Sequence, residues 1–363
     1  MLELREQAGR AAGVPPYVPA TWLPSGVAMT LATQLPRWGA GRWRRAAELR
    51  EFAIDEHNRV LTAIHWQPER QAAPTVLLAH GLAGDVDAEY MLGLGLEAWR
   101  WGFNVVRLNA RNSGGTEHLA RDTFHGGQSE DPERVLRELA EELPGPLFAA
   151  GFSLGANIVL RMAGRAADRL PANFAGAVGV SPPLDLGACC RELERTRFNR
   201  LVTRRFLRRF DGILERRERH WGPADLPRAS SLESLWEFDE RITAPLAGYP
   251  SVEAYYADAA AEPTLDRARV PLRIIHALDD PLIPASDYLR FASEVPRGVE
   301  LLLTERGGHV GFFARARAAG PRGRDGHRRW AEHRALDFLV ERAVARGWRP
   351  PRPLGAVADE PAG

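Results

Sequence analysis

Lysine is absent from this sequence, and all 48 of its basic residues are arginine. Without lysine the protein cannot form a Schiff base with pyridoxal phosphate, and it cannot contain a phosphate-binding loop of the Walker type. An excess of either charge is also absent, because 47 acidic residues nearly cancel the basic ones. The chain as a whole therefore gives no electrostatic reason to expect nucleic acid as a partner, and we expect a small neutral or weakly charged substrate.

Residues that could bind a metal are few and poorly spaced. The two cysteines, Cys189 and Cys190, are adjacent, which argues against both a disulfide framework and a zinc site. We interpret them as small buried or half-buried residues. His80, His118 and His125 occur on predicted loops, but their spacing does not match that of metal ligands. Neither a metal nor a cofactor is predicted.

Long apolar runs are missing as well. No stretch approaches the ~18 consecutive apolar residues of a membrane-spanning helix, and the N-terminus lacks the pattern of a secretion signal. We therefore expect a cytoplasmic protein without stable membrane insertion. The sequence leaves the oligomeric state open.

Short apolar runs alternate with helical patterns over most of the chain. Runs such as "TVLLAH", "FNVVRLNA", "LFAAG", "AGAVGVS" and "LRIIHAL" are typical of parallel strands buried on both faces, and "ELREFAIDEHNRVLTAIHWQPE" predicts an initial hairpin. The pattern predicts an α/β fold with a mostly parallel, doubly wound sheet. We expect these parts: an N-terminal arm (1–45), a core (46–181 and 271–348), a helical lid insertion (182–270) and a disordered tail (349–363).

The predicted insertion is rich in arginine, with the run "RTRFNRLVTRRFLRRFDGILERRERHW". A lid helix with a solvated basic face explains this composition in the simplest way. The alternative is that the face binds an anionic headgroup or the phosphates of an acyl-CoA. The arginines concerned are Arg204, Arg205, Arg208 and Arg209.

The segment "GFSLG" places Ser153 between two glycines, after a predicted strand and before a predicted helix. This is the strand–turn–helix setting of a nucleophile elbow, in which Gly151 and Gly155 let the helix pass close to the strand. The alternative is that Ser153 is only a small residue at a tight turn. As a nucleophile it would need a base and an orienting acid later in the chain.

Candidates for both follow predicted strands. His309 follows "VELLLTERGG", and Asp279 and Asp280 follow "LRIIHAL". We prefer Asp280 as the acid because it directly precedes the proline of "DPLIP". The backbone N–H groups of Leu82 and Leu154 are the predicted donors of an oxyanion hole.

These motifs resemble the YheT-like branch of the α/β-hydrolases, also called the AB hydrolase 4 family. The matching segments are "HGLAGD", "NARNSGGTEH", "FHGGQSEDPERVL", "GFSLGAN", "SPPLDL", "ALDDPLIP" and "GGHVGF". The resemblance implies an α/β-hydrolase fold and a serine hydrolase that cleaves carboxylic esters with the triad Ser153, Asp280 and His309. The sequence departs from the family pattern at "SGVAMTLATQLP" and within "NARNSGG", which leaves the substrate open.

Other activities are compatible with the same residues. An alcohol O-acyltransferase or a thioesterase would use the same triad, and an amidase would too, because a triad does not select the leaving group. A binding protein of the same fold without catalytic activity is a further alternative.

Overall fold

One eight-stranded sheet runs through the computed structural model, which describes residues 14–37 and 39–351. Its strands are β1 (Glu48–Ala53), β2 (Arg59–His65), β3 (Thr75–Ala79), β4 (Asn104–Leu108), β5 (Leu147–Phe152), β6 (Phe174–Val180), β7 (Leu272–Ala277) and β8 (Val299–Thr304). Their spatial order is β1-β2-β4-β3-β5-β6-β7-β8. The pairs β1–β2 and β2–β4 are antiparallel, and all the other neighbouring pairs in this order are parallel. The predicted mostly parallel sheet and its initial hairpin are confirmed.

The direction of winding reverses between β3 and β5. From β3 the chain goes outward to β4, and it then returns to place β5 on the other side of β3. In open α/β sheets, ligands bind beyond the carboxyl ends of the strands at such a reversal. The loops that follow β3 and β5 therefore flank the place where the fold favours a site.

Helices cover both faces of the sheet. Their bounds are α1 (Gly26–Ala32), α2 (Ala40–Arg45), α3 (Glu89–Arg100), α4 (Glu130–Glu142), α5 (Leu154–Arg165), α6 (Leu186–Glu192), α7 (Arg197–Trp221), α8 (Leu235–Phe238), α9 (Ala244–Leu246), α10 (Val252–Ala259), α11 (Ala285–Phe291) and α12 (Trp330–Ala345). Helices α3 and α12 contribute to the apolar core on one face, and α4 and α5 contribute to the core on the other. Alternate residues along a strand enter opposite cores, as Leu77 and Leu78 of β3 do.

Between β6 and β7 the structure contains helices and turns without a strand. This helical segment (residues 182–270) has an apolar core of its own, which includes Leu207 and Phe210 of α7 and Tyr255 of α10. Leu82 and Leu154, which follow β3 and β5, pack partly against that core. The helical segment therefore lies over the carboxyl ends of the central strands.

The described part of the N-terminal segment packs on the core rather than folding separately. The Ala20 N–H donates to the carbonyl oxygen of Phe313, and the ring of Tyr17 contacts those of Phe312 and Trp330. The predictions for residues 1–13 and 352–363 lie outside the described residues. Among the described residues, no helix has the length and apolar character needed to cross a membrane.

A buried ion pair fixes the loop that follows β4. The Arg111 guanidinium donates to both carboxylate oxygens of Asp131 at 2.6 to 3.2 Å, and both residues are buried. Asp131 lies in the first turn of α4, where a negative charge is favoured by the helix dipole. The pair therefore ties the β4 loop to the start of α4.

We expect Asp131→Asn to lower the free energy of unfolding by about 3 kcal/mol, because the buried Arg111 charge loses its bidentate partner and keeps only the exposed Asp122, at 3.2 Å. Chemical denaturation measures the change. Glu51→Gln is the control, since it breaks an exposed pair with Arg59 and should cost less than about 1 kcal/mol. Equal effects of the two substitutions would contradict this account.

Candidate active site

Ser153 lies in the sharp turn between β5 and α5. Its φ of 53° and ψ of −124° are rare for a residue with a side chain, and such strain persists only where the surroundings enforce it. A Cβ on Gly151 would lie 2.3 Å from the carbonyl oxygen of Gly155, and one on Gly155 would lie 2.3 Å from that of His80. Both glycines are thus required by the close passage of α5, as the motif predicts.

Ser153, His309 and Asp280 are joined by hydrogen bonds. The distance between Ser153 Oγ and His309 Nε2 is 2.8 Å, and that between His309 Nδ1 and Asp280 Oδ2 is also 2.8 Å. The three residues follow β5, β8 and β7, whose carboxyl ends lie at one edge of the sheet. The structure therefore brings together all three side chains that the sequence predicts.

Asp280 is buried, yet its surroundings favour the ionised form. Burial alone would raise the pKa of its carboxyl group, but the adjacent His309 holds that pKa below the usual value. Its Oδ1 accepts hydrogen bonds from the Leu282 and Ile283 N–H groups at 2.8 and 3.2 Å. The neighbouring Asp279 has a different contact, because it accepts the Gly308 N–H at 2.8 Å. Of the two candidates, Asp280 is therefore the one that contacts the imidazole.

Leu82 and Leu154 line the same cavity as Ser153. Within the described residues, neither N–H has a hydrogen-bond acceptor in the protein. An unpaired N–H is what the predicted oxyanion-hole role requires of each residue.

His80 fixes the direction of the Leu82 N–H. The Ala110 N–H donates to His80 Nε2, so Nδ1 carries the proton and donates to the Gly81 carbonyl oxygen at 2.8 Å. Burial lowers the pKa of His80, which favours this neutral form. Because the Gly81 carbonyl and the Leu82 N–H belong to one planar peptide group, the bond orients both. We did not expect this role for His80 from the sequence.

The N-terminal segment also holds His309 in place. The His309 N–H donates to Thr30 Oγ1 at 2.8 Å, and that hydroxyl donates to the Gly26 carbonyl oxygen one turn earlier in α1. On the other side of the loop, the Val310 N–H donates to Ser181 Oγ at 3.2 Å. The sequence gives no signal for Thr30, because nothing in its local pattern indicates a contact with a residue 279 positions later.

A cavity of about 580 Å³ opens above Ser153. Its walls come from the loops after β3, β4 and β5, from α1 and from the helical segment. Apolar side chains of the helical segment that line it include Leu193, Val202, Phe206, Phe210 and Ile213. A cavity of this size and lining suits an apolar group of a small-molecule ligand.

The cysteines and histidines considered above as metal ligands have other surroundings in the structure. Cys189 and Cys190 are buried and unpaired by disulfides. His125 lines the cavity, and burial lowers its pKa to about 4. His118 instead contacts the ring of His220. No group of three or more His, Cys, Asp or Glu residues within the described chain has an arrangement that could hold a metal.

The family model for the alpha/beta hydrolase fold matches residues 74–316. YheT of Escherichia coli (strain K12), named as an esterase, is 33% identical over 249 residues, which are 68% of this chain and 72% of YheT. The chain belongs to the α/β-hydrolases, in the YheT-like branch. Phospholipase ABHD3 of Mus musculus is 30% identical over 66% of this chain but 58% of its own length. The match to that larger relative thus spans less than two thirds of it.

Solved structures agree with the α/β-hydrolase fold. The 2,6-dihydroxy-pseudo-oxynicotine hydrolase superposes with a TM-score of 0.54 at 16% identity, over 85% of this chain and 71% of its own. Est1E from Butyrivibrio proteoclasticus gives a TM-score of 0.50 at 14% identity, over 82% of this chain and 99% of its own. At these identities the likeness concerns the fold alone.

We expect Gly155→Ala to lower the free energy of unfolding by about 3 kcal/mol, because the new Cβ would overlap backbone oxygens of Ala79 and His80. Thermal and chemical denaturation test this. Gly41→Ala in α2 is the matched control, since its Cβ would have only Arg45 Nη1 nearby, at 3.8 Å. The control should be neutral or slightly stabilising, and a similar loss in both variants would contradict the close-passage argument.

Proposed function

We propose that this α/β-hydrolase cleaves carboxylic esters, with Ser153 as the nucleophile, His309 as the base and Asp280 as the residue that orients the imidazole. The observation that carries the proposal is the chain of two 2.8 Å hydrogen bonds from Ser153 through His309 to Asp280, beside an apolar cavity. A serine hydroxyl becomes a strong nucleophile only when a base takes its proton, and this arrangement provides one.

The proposed reaction has two steps. In the first, His309 Nε2 takes the Ser153 proton while Oγ attacks the ester carbonyl, and the Leu82 and Leu154 amides stabilise the negative oxygen. The imidazolium then gives the proton to the leaving alcohol, which leaves an acyl group on Ser153. In the second, water attacks the acyl group, His309 takes the water proton, and the acid is released as Ser153 Oγ regains a proton.

The lining of the cavity suits an ester with an apolar acyl chain, which would be short, medium in length or lipid-like. Its walls from the helical segment are apolar, and we propose that this segment serves as a lid over the site. Relatives named as a phospholipase and a monoacylglycerol lipase are in keeping with such a substrate. Turnover across a series of p-nitrophenyl esters of increasing acyl length would identify the preferred chain.

Transfer of the acyl group to an alcohol would use the same residues and differ only in the second nucleophile. Product analysis in the presence of ethanol separates the two reactions, because transfer gives an ethyl ester and hydrolysis gives the acid. Thioester substrates in the same assay test the leaving group.

Ser153→Ala should reduce p-nitrophenyl ester turnover by at least about 1,000-fold, because the acyl group then has no attachment point. Cooperative thermal unfolding should be retained, since alanine fits the same space. Only protein with Ser153 should react with a fluorophosphonate probe. Ser286→Ala, which removes an exposed hydroxyl, should leave both activity and labelling unchanged. Activity near the wild-type level in Ser153→Ala would refute the proposal. Wild-type protein that neither hydrolyses esters nor reacts with the probe would favour a non-catalytic binding role, because the probe labels only an activated serine.

Asp280→Asn should lower kcat by about 10⁴-fold, because the amide neither fixes the productive tautomer of His309 nor stabilises its cation. Asp279→Asn is the paired control, since an amide oxygen can still accept the Gly308 N–H. We expect that control to lose far less activity. If the Asp279 variant were the more impaired of the two, the orienting role would belong to Asp279.

A further inference from the structure

The mouth of the cavity lies between α1 and α7. Of the residues that line the cavity, only four described side chains are exposed to solvent: Leu31, Gln34, Arg205 and Arg209. The first two belong to the N-terminal segment and the last two to α7. We call these four residues, with the exposed neighbours Leu35, Leu201, Arg204 and Arg208, the rim.

The rim exposes an unusual amount of apolar surface. Leu31 is 59% exposed, Leu35 is 50% exposed and Leu201 is 63% exposed. Leu35 follows Leu31 by four residues, and Leu201 precedes the cavity-lining Arg205 by one turn of α7. Large leucine side chains in water around the entrance to an apolar cavity mark a surface suited to an apolar partner.

The rim is also basic, and its positive charges are mostly not neutralised within the protein. Arg204, Arg205 and Arg208 have no ion-pair partner among the described residues, whereas Arg209 lies 3.7 Å from Asp85. The carboxylates nearby, between β3 and the first residue of α3, have partners too: Asp87 contacts Arg44 and Arg107, and Glu89 accepts the Arg37 N–H. The carboxylates of α7 also have partners: Asp211 accepts the Ser230 N–H, Glu215 pairs with Arg228, and Glu218 accepts the Ala224 N–H.

We propose that the rim docks on a lipid surface that carries anionic headgroups. Its leucines would enter the boundary between headgroups and acyl chains, and its free arginines would contact the phosphates. The whole chain is nearly neutral, so the attraction is local to the rim. Docking would let a lipid-like ester pass from the surface directly into the cavity. Only this purpose of docking rests on the proposed ester hydrolysis.

Vesicle sedimentation with the Ser153→Ala protein tests docking without any turnover of lipid. We expect binding to vesicles of equal parts phosphatidylcholine and phosphatidylglycerol, and little binding to phosphatidylcholine alone. Raising the salt from about 0.01 M to about 0.5 M should release most of the protein, because screening shortens the reach of the arginines.

Substitutions on the rim but outside the cavity lining identify the surface. Arg204→Glu with Arg208→Glu should weaken binding to the anionic vesicles by at least about 25-fold, because each arginine near such a surface contributes about fivefold. Leu201→Asp should also weaken it. The matched controls are Arg137→Glu with Arg297→Glu, which change the charge equally at exposed positions away from the rim, and Leu49→Asp at another exposed leucine.

The outcomes are distinct. Equal binding to both kinds of vesicle, no binding to either, or equal losses in rim and control variants would overturn the proposal. Loss on arginine reversal without an effect of Leu201→Asp, together with competition by inorganic phosphate, would overturn it in favour of a soluble anionic substrate. In protein with Ser153 intact, the rim variants should retain turnover of soluble p-nitrophenyl acetate. Vesicle binding by a protein that hydrolyses no ester would refute the proposed function but not the docking.

Discussion

The close passage of helix α5 over strands β3 and β5 is the constraint on which the site depends. It removes side chains at Gly151 and Gly155, and it holds Ser153 at a positive φ. The same approach puts the first turn of α5 beside the loop after β3, so Leu154 and Leu82 line one cavity. Because this crossing lies where the winding of the sheet reverses, the fold itself provides the open crevice above the serine.

The negative charge of Asp280 is stabilised by neighbours that donate hydrogen bonds rather than by an arginine. The Leu282 and Ile283 amides and His309 satisfy its oxygens. His276 lies behind it, with Nδ1 4.0 Å from Asp280 Oδ2, but burial lowers the pKa of His276 to about 3 and keeps that ring neutral. The carboxylate therefore directs its charge at His309, which is the group that would become positive in the proposed reaction.

Local patterns predicted much of the sheet and the three residues of the hydrogen-bonded chain, for a physical reason. Buried parallel strands need continuous apolar runs, and polar residues directly after such runs lie at one sheet edge, as Ser153, Asp280 and His309 do. Between the adjacent Asp279 and Asp280, only the fold could show which contacts the imidazole. Thr30 could not be predicted, because it contacts His309, which lies 279 positions later in the sequence. For the basic face of α7 the sequence left two interpretations open, a solvated surface and an anion-binding face. It could not decide between them, since the sequence does not show which arginines have acidic partners elsewhere in the fold.

The two sides of the cavity mouth, α1 and α7, differ in how they are connected to Ser153, His309 and Asp280. On α1, Thr30 accepts the His309 N–H, and the next residue, Leu31, forms part of the mouth. A displacement of α1 that widened the mouth would therefore also move the imidazole away from Ser153. Among the described residues, helix α7 makes no hydrogen bond to Ser153, Asp280 or His309 themselves. Its first turn is tied to the β7 loop, because Asn199 Nδ2 donates to the carbonyl oxygen of Pro281 at 2.8 Å, and further along it contacts the core through Arg216 with Glu117. A displacement at the start of α7 would pull on the loop that carries Asp280, whereas the middle of α7 has no such tie. Entry of a bulky ester that preserves the 2.8 Å distances is therefore best accommodated along the middle of α7, where the exposed arginines lie.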